Sequence, residues 1–182
     1  MIKGDFQLSP SESTFRRFLG KRADRILKSE RNRRKFEAAK VEIIKLANPV
    51  VGWKIFDIEE YKNSTVVLEN GITIGGGPVV DVICGATKLL VGLCTIGPDA
   101  EKKSKEYLAQ GDTFHAFLLD AMASWAVGNV RDQFVKWIRD ELHDKDGSHS
   151  SIHLSPGESA WKVDDQTVVF QLMDGVSEKM GL

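Results

Sequence analysis

The side chains best able to do chemistry gather between Ile152 and Gln166, in the run IHLSPGESAWKVDDQ. Ser155-Pro156-Gly157 is a turn signal, because Pro presets one turn position and Gly accepts the left-handed angles that follow. Such a turn offers backbone amides to a ligand. His153 before it, Glu158 directly after it and Trp161 beyond it add an imidazole, a carboxylate and an indole.

Other chemistry-bearing sets are weaker. His143, His149 and His153, with Asp144 and Asp146, have the ligand types that hold zinc or iron. His149 and His153 share a face only on a helix, however, and Gly147, Ser148, Ser150 and Ser151 oppose one, so a polar connection is expected and no metal. His115 and Asp120 are an acid and base candidate on one long helix, but five positions do not align them, and a solvated Asp120 is the plainer expectation. Gly75-Gly76-Gly77-Pro78 resembles a phosphate cradle, yet lacks the Lys and Ser/Thr of a P-loop and the spacing of a dinucleotide fingerprint. Cys84 and Cys94 sit in apolar runs without CxxC spacing, which predicts buried reduced thiols. No nucleophile set emerges, so no catalytic residue is assigned.

The elements that must position these groups follow from periodicity and punctuation. Ser11 to Leu19 predicts a short helix and Ala23 to Ala47 a long one, whose apolar face carries Phe36, Ala39, Ile43 and Leu46 until Asn48-Pro49 ends it. Val50 to Ile58 alternates as a strand. Thr65 to Ile74 predicts a hairpin, with Asn70-Gly71 as a two-residue turn. Pro78 opens a short helix, and Lys88 to Ile96, apolar throughout, predicts a buried central strand. Asp99 and Glu101 start another helix, Gly111 ends it, and Asp112 caps the next, from Thr113 to about His143. On that last helix Ala116, Leu119, Ala123, Val127, Val130, Phe134, Trp137, Ile138 and Leu142 form a wide stripe. A strand at Ile152 to Leu154, the turn, and a helix from about Asp164 to Asp174 complete the order. Helices before and after a run of strands predict an α+β fold with a largely antiparallel sheet.

With 182 residues, 42% of them hydrophobic, the chain is long enough for one domain with a sizeable core. The expectation is a single domain with residues 1–48 as an N-terminal helical segment and 176–182 as a short tail. No apolar run spans a bilayer and the first residues lack the apolar core of a signal peptide, so a cytoplasmic protein without membrane contact is expected. The net charge of −1 conceals polarity. Arg16 to Lys40 holds eleven Lys/Arg against three acids, an excess of +8 that leaves −9 elsewhere. Such a run can meet nucleic acid or an acidic partner, but without interleaved aromatics a solvated helix face is the expectation.

Three segments in this order, Cys94-Thr95-Ile96-Gly97-Pro98, GDTFHAFLLDAMASWAV from Gly111, and LSPGESAWKVDDQ from Leu154, resemble the activation-domain family of cobalamin-dependent methionine synthase. The closer likeness is to its small stand-alone members, associated with corrinoid methyl transfer. The resemblance covers roughly residues 38–174. It implies a bent, largely antiparallel sheet flanked by helices, S-adenosylmethionine in a shallow groove, and cobalamin carried by a partner, either a corrinoid protein or a methyltransferase. It also implies a groove lined by Thr95, Gly97, Ser124, Gly128, His153, Ser155, Pro156, Gly157, Glu158 and Trp161.

Carried over by position, Pro156 and Gly157 match the family's turn. His153 stands where the family has Arg, Glu158 where it has Tyr, and Gly128 where it has a helix Glu. Arg is a permanently charged fork for a carboxylate, which a neutral imidazole does not replace, and Glu158 adds a like charge beside that carboxylate. Each lost charge-assisted contact costs about 1.5–3 kcal/mol. The resemblance therefore implies an accessory module with a degraded cofactor site. The alternatives are an active factor for reductive methylation of a corrinoid, and an adaptor working through the basic helix. Family members continue beyond the last helix with a segment that closes the groove, whereas GVSEKMGL stops, so a more open groove is expected.

Overall fold

The computed structural model describes residues 1–158 and 161–182, with the side chains of His143, Asp144 and Asp146 set aside. The fold is α+β, with an open antiparallel sheet. The chain forms two compact units, Met1–Lys3 with Val51–Leu93 and Phe134–Leu182, and Gly4–Val50 with Cys94–Gln133. No helix among the described residues is long and apolar enough to cross a membrane.

The first unit holds the sheet. Its strands are β1 (Ile2–Lys3), β2 (Val50–Lys62), β3 (Thr65–Leu68), β4 (Thr73–Gly75) and β5 (Lys88–Thr95), in the order β1-β2-β3-β4 with β5 also paired to β2. β2 serves different partners along its length: Gly52 faces Ile2, and Lys62 faces Thr65. A register shift between Ile58 and Glu60 marks an irregularity partway along it. Gly52 is required by packing, since a Cβ there would lie 2.4 Å from Met180 Sδ and Val176 Cγ1.

The hairpin forms as the sequence predicts, with a longer loop. Leu68 N donates to Ile72 O, so Glu69, Asn70 and Gly71 together make the connection, and Gly71 takes a φ of 76°. A loop with glycine in the left-handed position is the next commonest hairpin solution after the two-residue turn. Asn70 Oδ1 accepts from Ile72 N and fixes its exit.

Helices α4 (Val79–Ile83) and α7 (Gln166–Leu172) cover this sheet. Val79, Val80, Val169, Leu172 and Met173 join Phe56, Val66, Leu68, Ile74 and Val91 in one buried cluster. Each fully buried side chain of this kind contributes about 1.5–3 kcal/mol. Beside it the Trp53 ring meets Phe134 at 5.1 Å, tilted, and Trp137 edge-on at 5.4 Å, and its buried indole N–H has no acceptor among the described residues. β5 departs from expectation: only Val91 on it is buried, because it pairs with β2 and leaves part of its surface exposed. Ile152 to Leu154 forms no strand; both end residues of that short, Ser-flanked run lack a ladder partner.

The second unit is helical. It contains α1 (Glu12–Leu19), α2 (Lys21–Leu27), α3 (Glu30–Leu46), α5 (Asp99–Ala109) and residues 113–133 of α6 (Thr113–Asp146). The long helix expected from Ala23 to Ala47 is two helices. Ser29 adopts extended angles and its hydroxyl accepts from Asn32 N, so a serine cap outweighs a periodicity that runs through it. Ser11 caps α1 by a reciprocal box with Thr14. Phe15 meets Phe36 at 4.6 Å. On α6 the buried positions include Ala116, Leu118, Leu119, Ala121, Met122, Ala126 and Val130, whereas Ala123 and Val127 are half-buried and line a groove.

Candidate functional site

The turn and the groove belong to different units, and each has its own chemistry. Within the first unit, Ser155 to Glu158 is a type II turn: Pro156 takes the first corner, Gly157 the second with φ 95°, and Glu158 N donates to Ser155 O at 3.0 Å. Its amides are already used. Gly157 N donates to Trp161 O at 2.9 Å, and Ser155 N donates to the Glu158 carboxylate at 2.8 Å. Pro156 has no N–H. The expectation that this turn presents amides to a ligand is corrected, because the chain's own carbonyls and carboxylate satisfy them.

Glu158 closes the turn on itself. Its carboxylate reaches back three residues to the Ser155 amide, a bond across the turn rather than a helix cap, since Gly157 has φ 95° and no helix begins at Ser155. His153 is exposed and makes no hydrogen bond among the described residues. Trp161 is half-buried against the sheet's core cluster, and its indole N–H donates to Asp165 at 2.7 Å. It borders a shallow hollow of about 190 Å³ with Gly75 to Val79, Lys162 and Asp165. Lys162 brings a positive charge to that hollow and Asp165 a negative one, so it is not the one-signed site a phosphate requires.

The second unit contains the larger concavity, about 670 Å³, formed where the end of β5 meets α5 and α6. Thr95, Gly97 and Ser124 line it, three of the ten residues expected in a groove. Gly128 follows Val127 on α6 and is not among the lining. Thr95 Oγ1 accepts from Gly97 N at 3.0 Å, turning the strand end toward α5. Gly97 has φ 76°, and a Cβ on it would touch Asn48 at 3.5 Å. Ser104 donates to Ala116 O at 3.1 Å, a buried tie between α5 and α6.

Charge in this groove is uneven. Glu101 and Lys105 pair at 2.6 Å, and that hydrogen bond holds the Glu101 carboxyl below its ordinary range. Asp120 has no hydrogen bond or ion pair among the described residues. The thiol of Cys94 is pushed from its ordinary 9.0 to about 11 by burial, with Arg131 opposing, and is neutral at physiological pH. Cys84, expected to be buried, is exposed.

His115 does not work with Asp120. Its Nε2 lies 2.9 Å from Glu42 Oε2 on α3, and its ring lies tilted against Tyr107 of α5 at 4.4 Å. Tyr107 donates to the same carboxylate at 2.9 Å, and burial, then Glu42, raise its pKa. The trio pins three helices together. Glu42 was missed because it lies 73 residues from His115 in the chain. Asp112 does cap α6, accepting from His115 N at 3.1 Å, and also pairs with Lys35 at 2.5 Å. The Lys35 hydrogen bond, then that backbone bond, lower its pKa.

The basic run is partly neutralised. Arg16 pairs with Glu12 and Asp24, Arg34 with Glu30, and Lys40 with Glu37. Among the described residues no group of three or more His, Cys, Asp or Glu is placed to hold a metal. The side chains of His143, Asp144 and Asp146, part of the cluster considered above, lie outside those described. Neither a protein-family model nor a curated protein matches the chain.

Proposed function

We propose that this chain is a non-catalytic accessory module, related to the reactivation domain of cobalamin-dependent methionine synthase, that works beside a corrinoid protein or methyltransferase without holding S-adenosylmethionine at its Ser-Pro-Gly turn. The observation that carries the second half is the Glu158 carboxylate on Ser155 N, where an anionic ligand group would need to sit. A methionine carboxylate there would displace a bond already made and meet a like charge. The kinship rests on three segments: one from the end of β5 to the residue before α5, one from Gly111 into α6, and one that begins just before the turn and reaches the first residue of α7.

The test has two arms. Titration with S-adenosylmethionine up to millimolar gives no NMR shifts at residues 153–158 of the native chain; micromolar binding with shifts at those residues would refute the degraded site. A purified corrinoid protein in the cob(II)alamin state forms a complex with the chain in analytical ultracentrifugation. No complex at micromolar concentrations sinks the partner role. Adding reductant and S-adenosylmethionine to that mixture yields no methylcobalamin above the rate without the chain. Stimulation would instead establish an active remethylation factor.

A further inference from the structure

We infer that the groove of the second unit binds a small organic cation with an apolar body, with Asp120 as its counter-charge. This goes beyond the reading of the turn and does not depend on it. The volume, about 670 Å³, lies in the range of small-molecule sites. The floor is built from Gly97, Ala100, Ala116 and Ala123, whose short side chains leave room for a ligand's body. Leu108 and Phe117, 54% and 42% exposed, give the edge of the groove an apolar surface.

Charge decides the class of ligand. Lys105 is taken by Glu101, so the pair cancels, and Cys94 lines the wall as a neutral thiol. Asp120 is left as the one lining charge without a partner among the described residues. A carboxylate beside apolar walls favours a cation and repels an anion, and Phe117 adds an aromatic ring to the same lining. Ser124, one turn along α6, adds a hydroxyl to the same wall.

The probe is benzyltrimethylammonium, titrated into ¹⁵N-labelled chain, with benzyl alcohol and phenylacetate as neutral and anionic comparators. Shifts confined to residues 94–127 and a cation affinity at least about tenfold above both comparators are expected, the size of one charge-assisted contact. Asp120→Asn removes that preference while leaving the fold, since Asp120 is exposed and unbonded. Ala123→Leu, which fills the floor, weakens cation and alcohol alike. Equal affinity for native chain and D120N, shifts elsewhere, or no shift at millimolar probe each overturn the inference. None of those results bears on the turn, whose reading stands or falls with S-adenosylmethionine and the corrinoid protein.

Discussion

Two carboxylates in this molecule sit beside concave backbone and meet opposite fates. Glu158 folds back three residues and takes an amide of its own turn, while Asp120, on a helix, faces a groove and has no partner among the described residues. The difference is one of reach. A carboxylate on a turn finds a local donor, whereas α6 already spends its amides along its own axis, so a side chain on its exposed face must look outward. A loop that resembles a binding site is thus closed by itself, and a helix that resembles packing material borders open space.

The largest effect that sharpens this contrast is chemical. At pH 8 Cys94, on the groove wall with its thiol neutral up to about 11, is alkylated roughly a hundredfold more slowly than exposed Cys84. Mass spectrometry of iodoacetamide-treated protein reads both rates, and comparable rates would show the groove wall to be far wetter. The sign for stability follows from a raised pKa: the contribution is complete below pH 9.0 and is lost as pH rises to about 11. Cys94→Ser flattens that alkaline loss in a thermal melt.

Next comes the turn. Gly157→Val forces a β-branched residue to φ 95°, although a Cβ there meets Val163 only at an ordinary 3.6 Å, so the penalty is backbone strain of about 1–2 kcal/mol or more. The melting temperature falls by several degrees; an unchanged value breaks the account of the turn. Asp120→Asn is smaller in stability, leaving the melt unchanged while cation affinity drops about tenfold. Smallest is Glu158→Ala, which frees Ser155 N. Hydrogen exchange at that amide rises severalfold, with little change at Gly157 N, which Trp161 O still holds.

Short-range features were legible in the sequence. Gly111 and Asp112 mark the α5–α6 junction, Asn70-Gly71 marks the hairpin, and Pro78 marks α4, because each acts within a few residues. Failures came from two sources. Some local signals were outvoted by periodicity, as when Ser29 cut a helix whose apolar spacing continued. Others needed the fold itself: His115 meets Glu42 and Tyr107 only after three helices assemble, and Asp120 takes no part in that trio. Of the residues named for a groove, Thr95, Gly97 and Ser124 do share one, since all three adjoin the junction of β5, α5 and α6.

The unbonded indole of Trp53 has an optical consequence. Shielded from water and lacking an acceptor among the described residues, it emits at short wavelength and resists acrylamide quenching, whereas Trp137 beside it is half-buried under the Lys3 ammonium. Trp125 is the sole indole of the second unit. Replacing Trp125 with Phe leaves fluorescence that watches the sheet-bearing unit alone, and keeping only Trp125 watches the helical one, so the colour of the emission can report which of the two loosens first.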